Sequence, residues 1–306
     1  MRVRLINMPV ITAVIAATCL LLFPAAVSVA RNGDASPHFR AVFPPEKEAA
    51  ASFFLDMAEA ARNRVEKTAG GPLDVEITIH WCPTEKDFFE KTSMHPEHIA
   101  AAASPYRRAI FLNGEKINVL SSREILPVMI HEYAHIYLAL TLRDRLPRWL
   151  DEGLAMHLAG EWSMGRAISL TTSSVMGELI PITQMEGAFS GDKSVMNLAY
   201  LQSYSFTSHL IERVQGTNDL KGFLELLKDE SARNRLLDDL DNRFILMGLE
   251  KSWKSSLGGR FRNTIFLFTS GSVMWFGLAS LFIAAYVKKR KRMREQMERW
   301  EEEGDI

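Results

Sequence analysis

The chain has 306 residues, 47% of them hydrophobic and 24% charged, with a formal net charge of -1; this is a globular composition and excludes disordered and collagen-like classes. So balanced a charge offers no basic face for nucleic acid, which is not expected as a partner. Two cysteines, Cys19 and Cys82, exclude a disulfide framework and a cysteine-ligated zinc site.

Arg2 and Arg4 precede an apolar run over 10–27 that ends in Ser28-Val29-Ala30, with small residues where signal peptidase reads. The pattern predicts a secretory signal over 1–30, with an uncleaved anchor as the alternative because the run approaches a membrane span in length. Cys19 falls in this segment, and Cys82 reads as a small buried apolar residue. Residues 31–257 are expected to form one domain. Pro44-Pro45 introduce an alanine-rich amphipathic helix over 46–67, stopped by Gly70-Gly71-Pro72. Alternation of Val75, Ile77 and Ile79 with Glu76, Thr78 and His80 predicts a strand over 73–81, and a second strand is predicted over 108–112, closed by Asn113-Gly114.

Helices follow: one over the motif below, one over 147–158 stopped by Gly160, one over 198–214 stopped by Gly216, and two short ones up to 257. The fold class is therefore α+β, a small N-terminal sheet with a helical C-terminal part. A linker is expected over 258–263. Residues 264–287 then carry no charge, and at about 1.5 Å per residue they reach across a hydrocarbon core of about 30 Å, which predicts one transmembrane helix. The basic block 288–294 opens a charged tail, 288–306, that stays cytoplasmic by the positive-inside rule. The expectation is a single-pass membrane protein, partnered by the bilayer, with its domain outside the cytoplasm.

The chemistry concentrates in His131-Glu132-Tyr133-Ala134-His135. Residues four apart share a helix face, so both imidazoles can reach one metal ion while Glu132 projects about 100° away, toward a water. Imidazole and carboxylate ligands favour zinc, which lowers the pKa of water toward about 7 so that Glu132 can act as general base. The flanks, Val128-Met129-Ile130 and 136–140, are apolar enough to bury the helix. Ser121 and Glu124 fit a capping box, while Pro127 predicts a kink, with the motif helix proper starting there. A third ligand is expected from the next helix, where Asp151 and Glu152 compete by spacing.

Together with Trp149-Leu150-Asp151-Glu152-Gly153-Leu154-Ala155, the motif resembles the gluzincins of the peptidase MA clan, in particular their peptidase MA-like domains and more distantly the zinc aminopeptidases and thermolysin-like peptidases. The resemblance implies a zincin-like domain that binds one Zn2+ and hydrolyses peptide or protein substrates. It implies Glu152 as third ligand, leaves Asp151 to start the helix or orient a ligand, and assigns the oxyanion-stabilising tyrosine to Tyr200, with Tyr204 as fallback. His157 and His209 are further candidate donors, read first as structural. The aspartate that orients a histidine in thermolysin-like relatives is replaced by Met156, and the Gly-x-Met-Glu-Asn element of aminopeptidases is missing, so the expected activity is endopeptidase. In this fold the strand nearest the metal binds extended peptide, and 108–112 is the candidate. The alternative function is a non-catalytic zinc-binding envelope module that recognises protein partners.

Overall fold

The computed structural model describes residues 35–94 and 99–304, the side chains of 258–274 and 294–304 excepted; the expected signal, 1–30, lies outside them. The chain opens with β1 (Phe39–Val42) and helix α1 (Glu48–Ala69), followed by β2 (Ile77–Cys82). Alanine dominates the buried stripe of α1, at Ala51, Ala58, Ala61 and Ala69, so the helix can lie close against the sheet and the motif helix. Gly70, with φ of +77°, ends it in the left-handed conformation that a side chain would resist. Helix α2 (Glu85–Thr92) then leads to the hairpin β3 (Ala101–Ser104) and β4 (Ala109–Asn113).

The sheet has the order β1-β2-β4-β3, with β1, β2 and β4 parallel and β3 antiparallel to β4. Two expectations are corrected here. The first strand begins at Ile77, four residues later than the alternation suggests. More consequentially, the stretch expected over 108–112 is β4, buried along its whole length and hydrogen-bonded on both edges, so no peptide can add to it. The open edge beside the motif helix belongs to β3, whose Ala-Ala-Ala-Ser sequence carries no strand signal.

Helix α3 (Ser122–Leu142) holds the motif and crosses behind the sheet. Its N-terminus is capped as expected: Glu124 accepts from the Ser121 amide at 2.8 Å and from the Ser121 hydroxyl at 2.7 Å. The helix is continuous through Pro127, against the expected break, because a capped first turn upstream of the proline needs only one missing backbone bond. Although α3 is long and apolar enough to cross a membrane, it is largely buried in the protein core. Glu66 of α1 pins it by accepting from the Tyr133 hydroxyl at 2.8 Å and the Leu73 amide at 2.8 Å.

The longer helices that follow are α4 (Arg148–Ala159), α5 (Met164–Met176), α6 (Lys193–Gln215), α7 (Leu220–Lys228), α8 (Glu230–Asp241) and α9 (Arg243–Gly304). Of these α5 was not expected. Helix α9 runs through Gly258-Gly259 without the expected linker. Trp149, Phe206 and Trp253 form a buried chain of rings, at 4.8 and 5.5 Å, that ties α4, α6 and α9 together.

Candidate metal centre

The α-helical spacing of the motif does what it should: His131 and His135 lie on one face of α3 with ring centroids 4.8 Å apart. Glu152 enters from α4, one turn past its start. Its Oε2 sits 3.4 Å from Nε2 of His131 and 3.5 Å from Nε2 of His135. All three donor atoms lie within 4.8 Å of one another. At those separations Glu152 Oε2 makes no hydrogen bond, although it is buried. An orphaned buried carboxylate oxygen facing two imidazole nitrogens is costly unless a cation joins them, and two nitrogens plus one oxygen are a donor set that suits zinc with one position left open.

The imidazoles are oriented from behind. Nδ1 of His135 donates to Asp151 Oδ2 at 2.8 Å, and Nδ1 of His131 to Glu161 Oε1 at 2.8 Å, which leaves each Nε2 lone pair turned inward. Asp151 and Glu152, neighbours on α4, face different ways, Glu152 toward the cluster and Asp151 toward the back of His135. Glu161, just past the Gly160 cap of α4, does the work for which Met156 has no oxygen, and Arg166 of α5 holds it at 3.1 Å. Burial opposes a charged His131, yet Glu152 and Glu161 beside it push its pKa up to about 9. His135 is likewise raised against burial by Asp151 and Glu152, and Glu152 is held well below the carboxylate range by the two histidines despite its burial. The pocket favours positive charge.

Glu132 faces the same cavity, and its carboxylate takes a hydrogen bond from the Ala103 amide of β3. Burial pushes its pKa up, which makes the ionised form a stronger base. The cavity, about 940 Å³, runs from the edge of β3 across the cluster to the start of α6.

Tyr200 lines the cavity two turns into α6, braced edge-on by Phe189 at 5.3 Å and hydrogen-bonded to Arg148. Burial, followed by the nearby charge of Glu152, raises its phenol further, so it remains a proton donor at neutral pH. The fallback is corrected: Tyr204 is stacked between Trp162 at 4.4 Å and His157 at 3.9 Å, outside the cavity lining. His157 bonds to the Tyr204 carbonyl and the Ser208 hydroxyl, and His209 to Ser252, so neither histidine serves the cluster.

Four features escape the sequence reading: Glu161, Arg148, Phe189 and the β3 edge. For Glu161 the available signal is an acid within a few residues of the end of the helix that supplies the third ligand; the others have none. The position of Gly153 is explained by packing, since a Cβ there would lie 2.6 Å from the Ser203 carbonyl and 2.8 Å from Thr207 Cβ where α4 crosses α6.

A family model described as the peptidase MA superfamily matches residues 58–259, more than half of the chain. No curated protein and no solved structure matches it.

Proposed function

The chain belongs to the peptidase MA superfamily, and on that premise we propose that it is a membrane-anchored, zinc-dependent endopeptidase acting outside the cytoplasm. The observation that carries the reading is the convergence of two inward imidazole nitrogens on the partnerless oxygen of Glu152. His131, His135 and Glu152 hold the ion. When bound, zinc supplies a Lewis acid that acidifies water and polarises a carbonyl.

The protein's own groups then divide the work. Glu132 takes the proton of the attacking water and returns it to the leaving nitrogen, a role suited to a carboxylate whose basicity burial has raised. Tyr200, kept protonated, donates to the oxygen on which negative charge develops. The edge of β3 aligns the substrate as an added strand, and the Ala103 amide is released to it as Glu132 turns to the water.

Membrane anchoring rests on α9 and on the sequence. Trp275, Phe276, Leu278, Leu281, Phe282, Ile283, Tyr286 and Val287 are exposed along this helix, an apolar surface too large for water to favour. The basic residues that follow fit a cytoplasmic end, and the signal over 1–30 an exported domain.

The test is Glu132→Gln in the full-length protein extracted in detergent. It should retain about one zinc per chain, as a site with three protein ligands requires, and lose at least about 100-fold in peptide hydrolysis. Well-folded protein that takes up no zinc, or a variant that cleaves as the parent does, refutes the reading.

A further inference from the structure

Three cations line the cavity beside the ligand cluster: Arg145, Arg148 and Lys193. The acids around it are committed to the protein itself. Asp151 holds His135, Glu186 accepts from the Arg148 amide at 2.7 Å, Asp192 caps the first turn of α6, and Asp144 faces Arg233 at 3.5 Å. Among the described residues the side chains of Arg145 and Lys193 form no ion pair. Arg145 and Lys193 are thus cationic donors of the cavity without an acidic partner, while its acids are held within the protein.

Arg148 is the best placed of the three. Its amide is fixed by Glu186, and its guanidinium lies over Phe189, 4.6 Å from the ring centroid. Phe189 is itself buried and braced by Tyr200. The contact of Arg148 Nε with Glu152 Oε1 is long, 3.5 Å, and one donor meets the Tyr200 hydroxyl, yet the side chain is 37% exposed, so part of the guanidinium fork faces the cavity. A guanidinium stacked on a ring still presents its donors at the edge, in the planar fork that matches a carboxylate. Only one carboxylate separates it from the cluster: the other oxygen of Glu152 faces both histidines. A substrate group that meets the guanidinium therefore lies close to the bond held at the cluster.

We infer that Arg148 determines specificity by binding a substrate carboxylate about one residue from the bond cut, so that the preferred substrates are peptides acidic at that place. The inference rests on the peptidase reading of the site. The carboxylate belongs either to an aspartate or glutamate side chain or to a free C-terminus; both present the same group to the fork.

The experiment uses zinc-loaded full-length protein in detergent and matched peptides. One set carries Glu or Gln on either side of the cleaved bond, and the other ends in a free acid or an amide. The parent should prefer one acidic member by about 10- to 100-fold in kcat/KM, carried mainly by KM, as a charge-assisted bidentate pair would give. Which set shows the preference identifies the source of the carboxylate. In Arg148→Gln the ratio of acidic to neutral peptide should fall to near one, and Arg148→Lys should keep part of it. Equal use of both members by the parent, or a preference that survives in Arg148→Gln, overturns the inference. Should Arg148→Gln not fold, the lysine variant must lose at least about half of the preference in logarithmic terms, because it keeps the charge without the fork.

Failure of the peptidase reading is told apart by binding without turnover. Calorimetric titration of zinc-loaded Glu132→Gln should show the same preference for the acidic peptide, absent when Arg148→Gln is added. That result upholds the subsite even if the parent cleaves nothing, and its absence overturns the subsite even if the parent is an active peptidase.

Discussion

Replacing Gly153 by alanine asks whether the third ligand is positioned by the crossing of α4 and α6. In an exposed helix the substitution would stabilise by up to about 1 kcal/mol through propensity. At Gly153 the new Cβ meets the Ser203 carbonyl at 2.6 Å and Thr207 Cβ at 2.8 Å, and lies closer still to Thr207 Oγ1. Ordinary contacts begin near 3.4 Å, and a carbonyl cannot rotate away as a side-chain tip can, so one helix must move by several tenths of an ångström. Overpacking of this kind costs about 1–3 kcal/mol, and with backbone as the obstacle the upper end applies. Subtracting the propensity gain leaves a net loss of about 2 kcal/mol. For a domain of this size that lowers Tm by about 4–8 °C. Glu152 is adjacent in sequence, so the same displacement should weaken zinc binding by about tenfold, comparable to losing a ligand-orienting contact. The assays are a thermal melt and a chelator competition, with Gly248→Ala as control. Gly248 lies on α9 with nothing within 4 Å of its virtual Cβ and should gain stability from propensity alone. A Gly153→Ala protein that melts with the parent and holds zinc as tightly would refute the packing account of Glu152.

Glu161→Gln removes the charge that orients His131 at 2.8 Å and should weaken zinc binding by about 10- to 100-fold, read by the same competition; unchanged affinity would leave Glu161 no part in the site. Tyr200→Phe should lower kcat by about 100- to 1000-fold while zinc content stays at the parent level, whereas Tyr204→Phe, in its stack with Trp162 and His157, should turn over substrate as the parent does. The reverse ranking would exchange their roles. His157 gives a pH dependence: burial pushes it down to about 4 from an ordinary 6.5. The unfolded chain then takes up its proton first, so stability present above about pH 6.5 is lost as pH falls toward 4, by about 2–3 kcal/mol after allowance for its partial exposure. Urea melts between pH 7 and 4 should be flatter for His157→Gln by that amount, and parallel profiles would contradict the assignment.

Some of this architecture is local and is therefore written in the sequence. Four-residue spacing on any helix brings His131 and His135 to one face, a serine and a glutamate three apart make a cap, and glycines end α1 and α4 where they stand. Of the candidate metal trio the two histidines were legible in their spacing, whereas spacing left Asp151 and Glu152 in competition and the resemblance to the gluzincins pointed to Glu152. What the sequence leaves undecided depends on how distant elements cross. Tyr200 and Tyr204 are one turn apart and indistinguishable by spacing. Only the crossing of α4 over Ser203 and Thr207 leaves the first in the cavity and stacks the second on His157. The strand beside the site is an alanine run with no β preference, made a strand by its pairing with β4, while the segment expected over 108–112 became the buried interior of the sheet. Glu161 and Arg148 flank the helix that carries Glu152, and their parts follow from where that helix ends and begins against α3, α5 and Phe189. Periodicity encodes which face of an element is buried, whereas the partner that covers it is fixed by packing over long sequence separations, and there the placement of Glu161, Arg148 and Tyr200 beside the cluster was decided.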